Sequence, residues 1–215
     1  MEFTAERKEV AYWVRRLYRL RLTTASGGNV SRRAGEGRFV ITPSGLDKAR
    51  IRSAQVAVMD LTGHNLTPDL KPSSEGQMHL RLYQQYPRIG AVIHAHPTTV
   101  CAFAASETPI DLGLVCETYA LLDAPVMAPY ALSGTPELAQ IVADCAERSS
   151  CVLLQNHAVL TTGVDLLQAF HRLELLEEAA RLTLLARQLG DVRHLTAEER
   201  ADLDHLVGRP ARAND

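Results

Sequence analysis

The order of apolar and polar positions divides the chain into alternating helical and extended segments. Residues 5–22 carry Val10, Trp13, Val14, Leu17 and Tyr18 at helical spacing, which predicts an amphipathic helix. The run T-A-S-G-G-N-V-S at 24–31 breaks that pattern, and its paired glycines beside Asn and Ser predict a tight turn or an anion-cradling loop. A strand is predicted at 38–41. It leads into a second turn of small polar groups, Thr42-Pro43-Ser44-Gly45, and residues 54–60 alternate as another strand. Lys71-Pro72-Ser73-Ser74-Glu75 reads as a helix start, with a serine at the N-cap and a carboxylate in the first turn of a helix running to about Tyr86. Ile89 to His96 is a mostly apolar strand, and Pro97 stands where a following helix can begin.

Farther along, residues 136–147 have a helical pattern, with Thr135 as cap and Pro136 at the first position. Cys151–Leu154 and Ala158–Thr162 are apolar β-prone runs separated by Gln155-Asn156-His157, and a long amphipathic helix runs from about Asp165 to Leu189, stopped by Gly190. Residues 191–215 are polar, with one short helix predicted at 197–207 and a loose end. No repeat or linker divides the chain, so residues 1–215 are expected to form a single domain of α/β (α+β) class, a sheet covered by helices, with 191–215 as a peripheral tail.

Composition narrows the function classes. The chain is 46% hydrophobic and 22% charged, values of an ordinary globular protein. A net charge of -2 offers no global field for nucleic acid or an anionic membrane, so neither is expected as a partner. No apolar stretch is long enough to span a bilayer, and the opening Met1-Glu2-Phe3-Thr4-Ala5-Glu6 lacks a basic then apolar signal; a cytoplasmic location is expected. Cys101, Cys116, Cys145 and Cys151 form no C-x-x-C pair and are expected as reduced, buried thiols.

Among eight histidines, three stand out by context. His94-Ala95-His96 ends an apolar strand, and the two-residue strand period projects both imidazoles to one face. His157 lies at the break between two apolar segments, where it can come alongside. Three imidazoles with a carboxylate or water make a catalytic zinc set. A cupin-type His-x-His would need a glutamate soon afterwards, and residues 97–101 contain no carboxylate. His79 follows Glu75 by four residues on one helix face, where orienting the carboxylate or packing is expected of it. His64, His171, His194 and His205 are expected at the surface.

Five segments, T-A-S-G-G-N-V-S (24–31), I-T-P-S-G (41–45), K-P-S-S-E (71–75), G-A-V-I-H-A-H-P (90–97) and L-L-Q-N-H-A-V-L (153–160), together resemble the class II aldolase/adducin family, over roughly residues 8–189. Within it the chain is most similar to aldolases acting on a phosphorylated ketose such as L-fuculose 1-phosphate. The resemblance implies a central, mainly antiparallel sheet with helices on both sides. It implies one Zn2+ per subunit on His94, His96 and His157. Glu75 is implied as a metal ligand in the empty site and as the base when substrate displaces it. The implied phosphate pocket is Gly28-Asn29, Ser44-Gly45 and Ser73-Ser74, which agrees with the physics of glycine-rich turns and serine hydroxyls around a dianion and needs no arginine.

What the resemblance implies functionally is reversible aldol cleavage to dihydroxyacetone phosphate and an aldehyde, in a homotetramer with the active site between subunits. Tyr119 is the nearest candidate for the acid on the aldehyde side, and Tyr130 is a weaker one. The same scaffold hosts methylthioribulose-1-phosphate dehydratases, oxo-tetronate-phosphate decarboxylases and pentulose-phosphate 4-epimerases. An epimerase would be expected to carry aspartate where this chain has Glu75. A non-enzymatic, adducin-like binding module would be expected to lack metal ligands, whereas all four candidates are present.

Overall fold

The apolar runs read as strands because both faces of the sheet they build are covered. In the computed structural model, which describes residues 2–35 and 37–209, one mixed sheet contains β1 (Asn29–Arg33), β2 (Arg38–Ile41), β3 (Ala57–Asp60), β4 (Ala91–Ala95), β5 (Val126–Ala128), β6 (Cys151–Leu154) and β7 (Ala158–Gly163). Their order is β3-β2-β1-β4-β7-β6-β5. Every neighbouring pair is antiparallel except β5 with β6. The expected mainly antiparallel sheet with helices on both faces is what the chain forms.

Successive strand residues enter opposite cores. Ile93 and Val159 pack with Trp13 and Leu17 of α1 (Thr4–Arg19), Phe103 of α3 (Thr98–Ala104) and Phe170 of α6 (Leu166–Leu189). Their neighbours Val92 and Leu160 pack with Met78 of α2 (Gly76–Gln85) and Val142 of α5 (Pro136–Arg148). With apolar layers on both sides, the central strands lose the polar alternation of a half-exposed sheet. α4 (Cys116–Leu121) and α7 (Ala197–Leu206) complete the helices, and among the described residues none is long and apolar enough to cross a membrane.

The predicted cap at Thr135 forms, accepting from Leu138 N–H at 3.3 Å, and Asp165, expected near the start of its helix, proves to be that helix's cap, accepting from Gln168 N–H at 2.8 Å. Four local expectations change. The predicted break at 24–31 contains the start of β1, hidden because buried Asn29 and Ser31 are polar. Helix α2 begins only at Gly76, and Glu75 occupies the cap position with no side-chain capping bond, so neither serine is the cap. The tail is also not loose up to its last described residue. Tyr119 of α4 donates to Asp204 of α7 at 3.0 Å, and Arg209 donates to the carbonyls of Tyr119 and Ala120 at 3.0 and 2.7 Å. Cys145 and Cys151 are buried free thiols as expected, but Cys116 is exposed.

Candidate metal centre and anion cleft

Antiparallel pairing of β4 with β7 sets the end of one strand beside the start of the other, with Ala95 opposite Val159. His94 lies near the end of β4, His96 just past it, and His157 in the tight turn that enters β7. That turn closes because Asn156 adopts φ 54, a left-handed conformation asparagine tolerates. The candidate ligand nitrogens of His94, His96 and His157 thereby lie within 4.8 Å of one another.

The tautomers suit a cation. His94 Nδ1 donates to the Val159 carbonyl at 3.0 Å, which leaves the Nε2 lone pair aimed into the cluster. His96 Nε2 approaches it to 3.2 Å, close enough for one proton or one cation to lie between them. Burial, then the neighbouring His94 and His157, lower the His96 pKa to about 4, which keeps this imidazole neutral and able to ligate.

Glu75 faces the same point, with Oε2 3.2 Å from His94 Nε2 and Oε1 3.2 Å from His157 Nε2. Both oxygens are also held from behind: Asn29 Nδ2 donates to Oε2 at 2.8 Å and Ser133 Oγ to Oε1 at 2.7 Å. Burial pushes this carboxyl up, but the proximity of His157, His94 and Ser133 outweighs it, so Glu75 stays a carboxylate well below the usual range.

Asn29 reaches Glu75 because β1 pairs with β4 in the register Asn29 opposite His94. Its amide nitrogen must face the carboxylate, so its oxygen is the acceptor for His79 Nε2. His79 Nδ1 is then an acceptor, taking the Ser31 hydroxyl proton at 2.6 Å, and Ser31 Oγ accepts from Tyr83 at 2.8 Å. The chain Tyr83–Ser31–His79–Asn29–Glu75 runs through buried groups with every donor direction fixed. Burial lowers the His79 pKa to about 3 and raises that of Tyr83 well above the usual phenol range, so both remain neutral. His79 is an orienting residue here, within the roles expected of it.

From this centre opens a cleft of about 350 Å³, whose lining includes Gly28, Asn29, Ser44, Gly45, Ser73 and Ser74. Three loops are laced together to form it. Ser44 Oγ donates to the Pro72 carbonyl at 2.9 Å and accepts from Ser74 N–H at 3.1 Å, while Ser73 N–H donates to the Thr42 carbonyl at 3.1 Å. Lys48 N–H donates to the Ala25 carbonyl at 2.9 Å, joining the glycine turn to the other two. Gly28 is required on two counts: its φ is +70, and a Cβ there would lie 2.7 Å from the His94 carbonyl oxygen.

All the sequence-predicted pocket and metal residues therefore meet in one place. Tyr119 does not join them: its hydroxyl is bonded to Asp204, and its ring lies under the Arg200 guanidinium in the packing of α4 on α7. Tyr130 is exposed. Ser133 and Lys48 were not anticipated, since a serine in a coil and a lysine in a polar loop carry no motif. His64, His171, His194 and His205 are exposed as expected.

A sequence model of the class II aldolase and adducin N-terminal domain matches residues 8–184. The chain is 35% identical over 175 residues to an L-fuculose phosphate aldolase of Methanococcus maripaludis, covering 81% of this chain and 94% of that one. It is 32% identical over 196 residues to a 3-oxo-tetronate 4-phosphate decarboxylase of Haemophilus influenzae, covering 89% and 92%. A solved L-fuculose 1-phosphate aldolase superposes with a TM-score of 0.87 at 33% identity, covering 97% of this chain and 98% of that one.

Proposed function

The chain belongs to the class II aldolase and adducin family, and from that premise we propose that it is a zinc-dependent lyase cleaving a phosphorylated ketose. The observation that carries this reading is the convergence of His94, His96, His157 and Glu75 at the head of a cleft walled by glycine and serine loops. Three imidazoles beside a carboxylate are a donor set that fits Zn2+ and leaves a position for substrate oxygens. A bound Zn2+ supplies Lewis-acid stabilisation of the negative charge that develops when the carbon–carbon bond beside a ketone breaks.

The protein's own residues do the rest. The Gly28-Asn29, Ser44-Gly45 and Ser73-Ser74 loops hold the phosphate end, so binding energy far from the reacting carbons orients them. Glu75 moves the proton to and from the carbon next to the ketone, and Asn29 and Ser133 fix its two oxygens for that transfer. A homotetramer with the cleft at a subunit boundary is part of the proposal. A solution mass near that of one 23.6 kDa chain would count against it.

A second reading, decarboxylation of a 3-oxo acid phosphate, is favoured by one observation. Tyr119, the candidate for proton transfer at the aldehyde-side oxygen, is bonded to Asp204, and loss of carbon dioxide needs no proton transfer there. Both reactions leave the same type of enediolate. The deciding experiment incubates zinc-loaded protein with phosphorylated ketoses, with L-fuculose 1-phosphate among them, and with 3-oxo-tetronate 4-phosphate. Aldehyde release, carbon dioxide release, epimerisation and dehydration are followed separately. Aldehyde release supports the first reading and carbon dioxide the second; epimerisation or dehydration alone rejects both.

A further inference from the structure

We propose that Lys48 is an anion-recognition residue of this cleft, its ammonium the counter-charge for a phosphate monoester; the proposal rests on the reading of the cleft as a sugar-phosphate site. Lys48 is only 3% exposed, yet it lines the cleft and is the sole Lys or Arg among the described lining residues. An ammonium carries three donors. Among the described residues the Lys48 Nζ has one acceptor, the Pro43 carbonyl at 3.4 Å, longer than a well-formed bond. No carboxylate of the described residues forms an ion pair with it. Glu75 is the charge it feels across the cleft, but the Glu75 oxygens are already taken by Asn29, Ser133 and the histidines.

A cation removed from water with so little returned to it is a cost that packing does not explain. Burial pushes the Lys48 pKa below its ordinary value, and the field of Glu75 opposes that shift. The position answers the question of what would repay the cost. Lys48 sits where the glycine turn and the Ser44-Gly45 turn are tied together by its own N–H. A tetrahedral dianion held by these turns would offer the ammonium oxygens at the place where the protein leaves its donors unused.

The test compares wild type with Lys48→Met and Lys48→Gln, each zinc-loaded, in titrations with inorganic phosphate, dihydroxyacetone phosphate and, as a carboxylate control, glycolate. Wild type is expected to bind both phosphates in preference to glycolate. Both variants are expected to bind them about tenfold more weakly or worse, with zinc content unchanged. The melting temperature without ligand separates recognition from a structural role. A lysine kept for ligand leaves the melting temperature of Lys48→Met equal to or above that of wild type, whereas a structural lysine lowers it. Phosphate affinity unchanged in both folded variants overturns the role of Lys48 and leaves the cleft assignment standing. Wild type that binds neither phosphate, or that prefers glycolate, removes the phosphate reading and the role of Lys48 with it.

Discussion

Asn29 donates to Glu75 while accepting from His79, so the orientation of a carboxylate in the metal cluster is set by a histidine on the far side of an amide. His79→Gln is expected to keep zinc but to lower kcat by about tenfold, on whichever substrate the wild type turns over, because Glu75 loses a fixed direction. It is also expected to cost about 1–3 kcal/mol, since a flexible amide does not reproduce both ring-nitrogen bonds, to the Asn29 oxygen and from the Ser31 hydroxyl. Zinc analysis, kcat and denaturant unfolding of the variant check the three parts together.

Buried His79 and half-buried His96 give the metal-free protein an acid-labile profile. His79 and His96 have folded pKa values lowered to about 3 and about 4, below the about 6.5 of an unfolded chain. The unfolded state therefore binds more protons between those values. Stability is full above pH about 6.5 and declines as pH falls, by about 1.4 kcal/mol per unit for each such group. The groups acting on His79 are Glu75 and His94, with Ser31 and Asn29 as its bonded neighbours. Unfolding free energies measured from pH 7 to pH 4 should slope less steeply in His79→Gln than in wild type.

Metal removal should be readable as lost stability. A ligand that binds only the folded state adds RT ln(1 + [L]/Kd), about 4 kcal/mol at a thousandfold excess over Kd. Wild type is expected to hold one zinc per chain and to melt several degrees lower after chelation. His157→Ala should hold far less zinc and show no such difference. Equal melting of zinc-loaded and chelated wild type would argue against the centre.

Glu75→Gln separates ligation from proton transfer. Three imidazoles remain, so zinc is expected to stay bound, while turnover falls by about 100-fold or more for loss of a general base. Near-normal turnover would show that Glu75 is not the base.

Gly28→Ala tests the closest backbone approach in the site. The new Cβ would meet the His94 carbonyl oxygen at 2.7 Å and the Thr23 hydroxyl at 2.9 Å, at a φ of +70. A loss of about 2 kcal/mol or more is expected, with weakened zinc binding because His94 is pushed. Thermal unfolding with and without zinc checks it.

How far the chain could be read before folding depended on what each residue's neighbours were. His94, His96 and His157 stood out because strand spacing and a break between apolar runs are local signals. The long helices and the cap at Thr135 were equally local. β1 was not legible, because Asn29 and Ser31 are buried polar residues whose partners, Glu75 and His79, lie some fifty positions away. Ser133 and Lys48 were invisible for the same reason: their significance comes from loops brought together by pairings such as Pro43 with Pro72. Tyr119 was misplaced by proximity along the chain, when its hydroxyl is used in docking α7.

The register of Asn29 opposite His94 makes the metal centre a reporter of correct assembly. A slip of β1 by one residue would turn Val30 out of one core and carry Asn29 away from Glu75 in the same movement. A chain that has paired its strands wrongly would therefore fail both to bury its core and to assemble the His94, His96 and His157 cluster. If the proposed zinc binds there, its uptake during refolding is expected to count the molecules whose central strands are in register.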